Sequence, residues 1–418
     1  MDREVFGHMI QAFDKTGASL GFPNFIELQW NRRFNGFGDF SLYMPISEYD
    51  PNIKYIQNID RPETGIVQKI VYEQKPEGDF ITLSGYFIEA LLNWGALWKD
   101  KNYTATTAAG VRTHIRRIVR DGMTLTVPPT IGTYTDPEVK PTNTQLYTFS
   151  LDASMPTPST MNLAYAKGTP CGDTILSWLN ANDYSMTANP VWNTSGTGPY
   201  LGIDLVTYTG TDRTSSVFFG KPYANVASVE YVLDESAERA EYILVQEING
   251  TQAGTYSGVT TLSTSEGTKQ YIFAHTYTVA NTPSDMGGSY PMKVLYTSAG
   301  SDPSISQPDL ATQMRQEGRI DMLDNYKLET VTVDVLQNSF IYLTDYDLGD
   351  TVSIVIPEIN LTFTAQIMEV YEVQSNNNLE VQIVLGTPKR RPRNKGAKLN
   401  GGGSGLQFSQ SGSGVNIW

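Results

Sequence analysis

The sequence predicts a mainly β protein with α+β insertions. Short segments in which apolar and polar residues alternate recur along most of the chain, as expected for strands with one buried face. Tyr and Gly are abundant, with 24 and 36 residues among 418, and hydrophobic residues make up 40% of the chain. This composition favours strands and supplies enough apolar material for a folded core. At this length we expect more than one domain.

The first strands are predicted near the amino terminus. In NFIELQWN, Ile26, Leu28 and Trp30 alternate with polar residues, and FSLYMP resumes the alternation after a turn that contains Gly36 and Gly38. Glycine tolerates the positive φ that a tight turn between strands needs. TGIVQKIVYEQ and FITLSG, separated by KPEGD, predict a second hairpin.

Four segments change to a helical period. GYFIEALLNWGALW and AAGVRTHIRRIVRDG have apolar residues at three- and four-residue steps. In the second of these, arginines occupy the opposite face and Gly122 is the expected stop. CGDTILSWLNAN predicts a helix that begins near Asp173 and ends near Asn180. QPDLATQMRQEGRIDMLDNY predicts another, weakened in its middle by Gly318.

Strands return after about residue 200. LGIDLVTYTG, ASVEYVLD and AEYILVQE precede a Gly-, Thr- and Ser-rich region whose strand pattern is interrupted, and KLETVTVDVL, DTVSIVI, TFTAQIMEVYEV and LEVQIVLG follow it. These shifts of pattern predict four sections of the chain: 1–95, 96–205, 206–388 with an insertion at 249–325, and a flexible tail at 389–418.

Charge is unevenly distributed along the chain. The formal net charge is −14, yet residues 389–398 hold six basic residues and no acid, while the rest holds 24 basic and 44 acidic residues. An acidic body repels the nucleic-acid backbone, which argues against a duplex-DNA binder. The Gly- and Ser-rich stretch after 398 resembles a flexible linker with an apolar end. The candidate residues for an interaction of the tail are therefore Lys389, Arg390, Arg391, Arg393, Lys395, Lys398, Ile417 and Trp418.

The stretch DYDLGDTVSIVI is the strongest candidate for a metal site, because Asp345, Asp347 and Asp350 fall within six residues. A calcium loop that starts at Asp345 needs glycine at its sixth position and a carboxylate at its twelfth, and this chain has Asp350 and Ile356 there. The pattern instead favours a structural turn, formed by Gly349 and Asp350, that begins a strand.

No catalytic constellation is recognisable in the sequence. His8, His114 and His275 are far apart and lack the spacing of zinc ligands. A thiol–imidazole pair between Cys171 and one of them, and a carboxylate pair for glycoside cleavage, stay open as alternatives. We expect no metal, no cofactor and no enzyme activity.

The sequence also bears on where the protein is made. No run approaches the ~20 apolar residues needed to cross a bilayer, and the amino terminus has no signal-peptide pattern. The single cysteine excludes an internal disulfide. We expect a soluble protein that is made in a cytoplasm, without a membrane-spanning segment.

Several segments together resemble the Gp37-like tail proteins of long-tailed phages and the phage baseplate hub, or tail-associated, family. LQWNRRFNGFGDFSLYMP is similar to their opening hairpin, in which a strand with Trp precedes a GxF turn and a second strand ending in Pro. ETGIVQKIVYEQ, GDTILSWLNAN and GKPYANVASVEYVLDESAERAEYILVQE resemble the next hairpin, a later helix and a strand pair. DYDLGDTVSIVI through LEVQIVLGTPK resembles the closing barrel. The chain departs from the pattern at Asn93, Trp94 and Gly95, and its tail is shorter than that of relatives with a lysin or spike.

The resemblance implies two tube-type antiparallel β-barrel domains, at 1–95 and 206–388. It implies a virion structural protein of the tail tip, assembled in the host cytoplasm as a homotrimer that adapts the sixfold tail tube to a threefold tip. The implied partners are the distal tail protein, the tail tube protein, the tape measure protein and a receptor-binding or spike protein. Genomic DNA would pass during DNA ejection without specific binding. The alternatives are a tail-associated peptidoglycan hydrolase and a carbohydrate-binding tip protein, the latter suggested by the Tyr-rich segment 249–307.

Overall fold

A computed structural model describes residues 8–386, apart from 60, 62, 97–100, 124–147, 152–153, 166–167, 194–200, 235–240, 249–253, 266, 278–291, 298–305, 323–327 and 376–377. Strands predominate in this part of the chain, and helices are few. The predicted mainly β fold is confirmed. None of the described helices has the length and hydropathy needed to span a membrane.

The helices are α1 (Ala108–Met123), α2 (Cys171–Asn180) and α3 (Gln307–Met322), with 3-10 helices at Ile46–Glu48, Ile88–Trp94, Lys221–Tyr223 and Pro357–Ile359. The strands are β1 (Ile10–Phe13), β2 (Ser19–Gly21), β3 (Glu27–Arg33), β4 (Asp39–Pro45), β5 (Tyr55–Asn58), β6 (Thr64–Ile66), β7 (Lys69–Lys75), β8 (Gly78–Tyr86), β9 (Lys101–Ala105), β10 (Thr148–Leu151), β11 (Met161–Tyr165), β12 (Ser185–Trp192), β13 (Leu201–Tyr208), β14 (Phe218–Phe219), β15 (Val226–Asp234), β16 (Glu241–Ile248), β17 (Thr260–Thr264), β18 (Gly267–Tyr277), β19 (Met292–Tyr296), β20 (Leu328–Val335), β21 (Thr351–Ile356), β22 (Leu361–Ser375) and β23 (Asn378–Gly386).

A ten-stranded sheet joins the beginning and the end of the described chain. Its main path runs β15-β20-β23-β22-β3-β4-β8-β7, with β21 paired to β22 and β14 paired to β21 beside this path. Strands β22 and β3 are antiparallel, with Glu372 opposite Trp30 and Val370 opposite Arg32. The two halves of the sheet therefore meet along this one pair of strands, which we call the β3–β22 seam.

Each half of the ten-stranded sheet covers its own apolar core. Leu28, Trp30, Phe40, Leu42 and Met44 of β3 and β4 are at most 2% exposed, which confirms their predicted inward face. They pack with residues of the four-stranded sheet β2-β1-β5-β6. On the other side of the seam, the apolar residues of β20, β21, β22 and β23 form a second core.

The segments between these halves build two smaller layers. Strands β10-β13-β12 and the pair β11-β9 pack with α1 and α2 around a third core. Strands β17-β18-β16-β19 form a separate sheet, and α3 covers one of its faces through Leu310 and Met314.

Two predicted elements differ from the structure. The first predicted helix is only the seven-residue 3-10 helix Ile88–Trp94, which ends because Gly95 is extended and its carbonyl accepts the backbone N–H of Cys171. The predicted strand TGIVQKIVYEQ is divided into β6 and β7. The break lets the chain cross Gly85, where a Cβ atom would lie 1.8 Å from the Ile66 carbonyl oxygen.

The prediction of positive φ at Gly36 and Gly38 was wrong. Gly36 and Gly38 are not among the glycines with positive φ, and Gly38 instead makes room for Phe87, whose ring atoms lie 2.3 Å from the position of a Cβ atom at residue 38. Gly122 lies one residue before Met123, the last described residue of α1, so the described helix ends close to the predicted stop. A Cβ atom at residue 122 would lie 1.9 Å from Cys171 Sγ, so this glycine allows α1 and α2 to approach closely.

We predict that Gly122→Ala destabilises the protein by about 2 kcal/mol, because overpacking between α1 and α2 outweighs the better helix propensity of alanine. In a Cys171→Ala background the obstructing Sγ is absent and Cys171 Cβ is 3.4 Å away, an ordinary contact. There the same change should be neutral or stabilising by up to about 1 kcal/mol. Urea unfolding of the four variants measures this coupling, and equal effects in both backgrounds would contradict the packing argument.

Candidate functional site: the buried charge cluster

Charged side chains that sequence reasoning did not single out converge beside the β3–β22 seam. Arg32 comes from the end of β3, Glu372 from β22 and Asp347 from the turn before β21. Others come from the segment before β1, the connection between β5 and β6, and the 3-10 helix after β8. We call the set the buried charge cluster: His8, Arg32, Arg61, Glu63, Glu89, Asp347 and Glu372. Asp347 lies at its edge, with a side chain that is 46% exposed.

Arg32 is the centre of one half of this cluster. Its Nε lies 2.6 Å from Glu63 Oε1, and its Nη1 lies 2.6 Å from Asp347 Oδ1 and donates to the Tyr342 hydroxyl. Burial alone would lower the pKa of Arg32, but Glu63, Tyr342 and Asp347 outweigh it and hold that pKa well above its usual value. Arg32 therefore stays charged and links β3 to two other segments.

Glu372 is the centre of the other half and is fully buried. Arg61 Nη1 donates to its carboxylate, and His8 Nε2 lies 3.1 Å from Glu372 Oε2. Burial would raise the pKa of Glu372, but Arg61 and His8 lower it to about 2. Asn58 Nδ2 lies 2.7 Å from His8 Nδ1, which assigns the acceptor role to that nitrogen and a proton to Nε2.

The pKa of Glu89 is shifted upward, opposite to that of Glu372. It is 4% exposed, and burial raises its pKa to about 8, with a further contribution from the charge of Glu63. Its Oε2 has no hydrogen-bond partner within the described part of the chain. The carboxyl group of Glu89 is therefore largely protonated at neutral pH.

A second arginine extends the ionic contacts along the seam. Arg33 Nη1 lies 2.6 Å from Asp39 Oδ2 and 2.9 Å from the Phe37 carbonyl oxygen, while its Nε lies 3.8 Å from Glu369 Oε1 on β22. A buried ion pair adds little stability compared with apolar packing of the same volume, but loss of one partner is costly because it leaves an uncompensated buried charge. These contacts therefore favour one register of β3 against β22, which is a structural rather than a catalytic role.

The predicted turn lies at the edge of the cluster. Gly349 has a φ of +92°, and Asp350 is 5% exposed. Asp350 Oδ1 accepts the Thr211 N–H at 2.7 Å, and its Oδ2 accepts Arg213 Nε at 2.6 Å. Asp347 is held by Arg32, so the aspartates of this turn are used in separate protein contacts. Among the described residues no group of three possible metal ligands is found.

The other candidate residues are not brought together. His114 Nε2 lies 2.8 Å from the Thr104 carbonyl oxygen, while Cys171 is buried with its Sγ 3.7 Å from the Ile118 carbonyl oxygen. The side chain of His275 lies outside the described residues. So do all the tail candidates: Lys389, Arg390, Arg391, Arg393, Lys395, Lys398, Ile417 and Trp418.

Known proteins show which folds this architecture resembles. The sequence matches the family described as Siphovirus ReqiPepy6 Gp37-like protein over residues 11–387, in agreement with the resemblance drawn from its motifs. No curated protein matches it.

Three solved structures share the fold. The tail protein from Neisseria meningitidis MC58 is 11% identical, with 91% of this chain and 96% of that chain covered and a TM-score of 0.52. The 43 kDa tail protein of prophage MuSo2 from Shewanella oneidensis is 13% identical, with 91% and 99% covered and a TM-score of 0.50. Prophage tail protein gp18 from Listeria monocytogenes EGD-e is 8% identical, with 92% and 96% covered and a TM-score of 0.50. At these identities the likeness concerns the fold alone.

We predict that Arg32→Met lowers the free energy of unfolding by about 3–5 kcal/mol, because Glu63 is then left buried without its partner. Glu63→Gln in the same chain should recover part of that loss. The control is Lys269→Met, which removes a partly exposed pair with Glu247 and should change stability by less than about 1 kcal/mol. Denaturant unfolding measures all three, and a loss for Arg32→Met no larger than the control's would contradict the role of the cluster.

We predict that Glu89 makes stability fall as pH rises from about 4.5 to about 8. The folded state keeps the proton over this range because its pKa is about 8, whereas the unfolded state, with the usual value of 4.5, releases it. Glu89→Gln should remove this component of the slope, up to about 1.4 kcal/mol per pH unit. Glu89→Asp, which keeps a carboxyl group at the site, should retain a slope. Urea midpoints measured across this range test the prediction, and an unchanged slope in Glu89→Gln would refute it.

Proposed function

We propose, from the premise that this chain belongs to the family of Siphovirus ReqiPepy6 Gp37-like proteins, that it is a structural hub protein of a phage tail tip and not an enzyme. The observation that carries the proposal is the ten-stranded sheet, whose two halves are joined at the β3–β22 seam. The buried pairs Arg33–Glu369 and Arg61–Glu372 connect the two halves there. A hub that surrounds a channel needs a stiff wall, and a continuous sheet with a fixed register can form one.

The two halves of this sheet support a pair of related barrel domains at 1–95 and 206–388, with an α+β insertion at 96–205 and a further insertion at 249–325. Each half has its own apolar core, and the cores lie on the two sides of the seam. Three such chains would present six barrels, which is the arrangement needed to adapt a sixfold tail tube to a threefold tip.

The ends of the sheet support closure into a ring. Strands β7 and β15 end the main path of the sheet among the described residues, so each has an edge that another chain could pair with. Ile70 and Tyr72 of β7 are 49% and 56% exposed. Strand β7 carries two lysines and Glu73, which pairs with Lys75, whereas β15 carries Glu230 and Asp234 and no base. Contacts between unlike edges of neighbouring copies are heterologous, and they form a closed ring when the rotation between successive copies closes.

The charge of the body supports passage of DNA. Outside 389–398 the chain carries 24 basic and 44 acidic residues, so a channel lined by this protein would not retain the phosphate backbone. In this proposal the trimer lies in the virion, at the tail tip, after assembly in the host cytoplasm. It would contact the distal tail protein, the tail tube protein, the tape measure protein and a receptor-binding or spike protein.

One observation favours carbohydrate binding as a second role. Phe273 and Tyr296 both lie opposite Val245 in the sheet β17-β18-β16-β19, so the two aromatic rings share one face. Phe273 is 41% and Tyr296 72% exposed, and α3 covers the opposite face. Exposed aromatic rings on a flat sheet can stack on sugar rings. The hydrolase alternative needs a pair of carboxyl groups that a substrate can reach. The neighbouring Glu63 and Glu89 are only 2% and 4% exposed, so they do not support it.

We predict that the purified protein forms a trimer of the 46.3 kDa chain and that the double change Ile70→Lys and Tyr72→Lys dissociates it, because two positive charges replace the exposed apolar side chains beside the β7 edge. Val191→Lys is the control, since Val191 is 50% exposed on β12, outside the ten-stranded sheet. Light scattering coupled to size exclusion measures the mass. A monomeric wild type at micromolar concentration would count against the hub, and a trimer that survives the double change would exclude the β7 edge.

A further inference from the structure

Two carboxyl groups of the buried charge cluster face each other beside the 3-10 helix Ile88–Trp94. Gly65 in β6 and Phe87, which precedes this helix, form an antiparallel bridge. The residue two positions before Gly65 and the residue two positions after Phe87 lie on the same side of that bridge, which brings Glu63 and Glu89 together. Both side chains are buried, with exposures of 2% and 4%, and the charge of Glu63 acts on Glu89. We call these two residues the carboxyl pair.

Each member of the carboxyl pair has one oxygen that lacks a donor. Glu63 Oε1 lies 2.6 Å from Arg32 Nε, and Glu89 is hydrogen-bonded to the backbone of Gly38. Glu63 Oε2 and Glu89 Oε2 are buried, and neither has a hydrogen-bond partner within the described part of the chain. A buried carboxyl oxygen without a donor is costly, and so is a second negative charge in a shared buried site. One proton placed between these two oxygens removes both costs.

We propose that Glu89 holds a proton on Oε2 and donates it in a hydrogen bond to Glu63 Oε2, directly or through one bridging water. This shared proton fastens the 3-10 helix Ile88–Trp94 to the segment that leads into β6. Burial of Glu89 supports the assignment, because burial, with a contribution from the charge of Glu63, raises the pKa of that carboxyl group to about 8. A hydrogen bond to a charged oxygen is roughly twice as strong as one between neutral groups, so the contact is worth keeping.

The groups around the carboxyl pair favour a single shared proton. Arg32 acts on Glu89 as a cation, and its guanidinium also contacts the other member of the pair and, at 2.6 Å, Asp347. Arg32 donates to the hydroxyl of Tyr342, and Tyr208 lies at the end of β13. Burial raises the pKa of both of these hydroxyl groups, so they stay uncharged at neutral pH. Arg32 therefore already contacts two acidic side chains, and it could not fully compensate a further negative charge on Glu89.

Ionisation of Glu89 would also act on the contact with α2. The far end of the 3-10 helix holds the start of α2, since Asn93 Oδ1 accepts the backbone N–H of Asp173 at 2.7 Å and the Gly95 carbonyl oxygen accepts that of Cys171 at 3.0 Å. Repulsion within the carboxyl pair would push the first turn of the 3-10 helix away from β6 and weaken its hold on α2. The connection between the first half of the ten-stranded sheet and the layer of α1 and α2 therefore depends on one proton, which is held below about pH 8 and lost above it.

Infrared spectroscopy of the full-length protein tests the shared proton. The C=O stretch of the protonated Glu89 carboxyl group, identified by its loss in Glu89→Gln, should be present at pH 6 and disappear through about pH 8. In Glu63→Gln the midpoint of that loss should fall by about one pH unit or more, because the like charge is removed. The band should also move to higher frequency, since an amide oxygen accepts a weaker hydrogen bond than a carboxylate oxygen does.

Asp347→Asn is the matched control for Glu63→Gln. It removes the other acidic partner of Arg32, also at 2.6 Å, without altering the carboxyl pair. Its midpoint should fall by less than half as much, and its band should not move. Equal shifts in the two variants would overturn the proposal, because the effect would then pass through Arg32 alone, and so would the lack of a protonated Glu89 band at pH 6.

Amide exchange of the wild-type protein gives a second measurement that needs no substitution. Relative to β20, exchange in residues 88–95 and 171–174 should rise about tenfold between pH 6 and pH 9, beyond the intrinsic effect of pH on exchange. Glu89→Gln should abolish this rise. An unchanged ratio in the wild-type protein would overturn the proposed dependence of the α2 contact on the shared proton.

Discussion

The pairing of β3 with β22 is the constraint on which the rest of this structure depends. It joins residues more than three hundred positions apart, so its register must be specified by side chains rather than by a short turn. Apolar residues alone specify such a register weakly when both strands carry them. The buried charges specify it more strongly, because a shift of one residue in β22 would move Glu369 away from Arg33 and Glu372 away from Arg61 and leave buried charges without partners. The cluster therefore adds specificity where apolar packing is degenerate.

The turn DYDLGD extends the same constraint to the strand that follows it. Asp347 contacts Arg32, and Asp350, three residues later, contacts Arg213 and the backbone of Thr211. One short loop thus ties β3, β21 and the segment before β14 together. Gly349 makes this possible, since its φ of +92° and its approach to the Phe34 ring exclude a side chain. A stretch that resembles a metal loop in the sequence is a junction of three segments.

Much of the fold could be predicted from local patterns, and the cluster could not. The alternation at Leu28 and Trp30, the helical period of α2 and the strand after Gly349 depend on neighbours in sequence, which a pattern records. Glu372 and Arg61 are charged residues whose burial depends on each other across the seam, and nothing near either one indicates it. The roles of two glycines could not be predicted for a related reason. Gly38 and Gly122 make room for Phe87 and Cys171, and local sequence patterns do not show that these residues lie nearby.

Two of the buried glutamates, Glu89 and Glu372, respond to pH in opposite ways. Glu372, with its pKa lowered to about 2, contributes stability that is present above the unfolded value of 4.5 and is lost as pH falls through about 2. Glu89, with its pKa raised to about 8, contributes stability that is present below 4.5 and is lost as pH rises through about 8. Both contributions are therefore nearly complete only close to pH 4.5. At neutral pH the ion pairs of Glu372 contribute fully to stability, whereas the protonated carboxyl group of Glu89 contributes only part of its maximum. The charges that set the register are therefore retained at a pH at which the contribution of Glu89 has begun to fall.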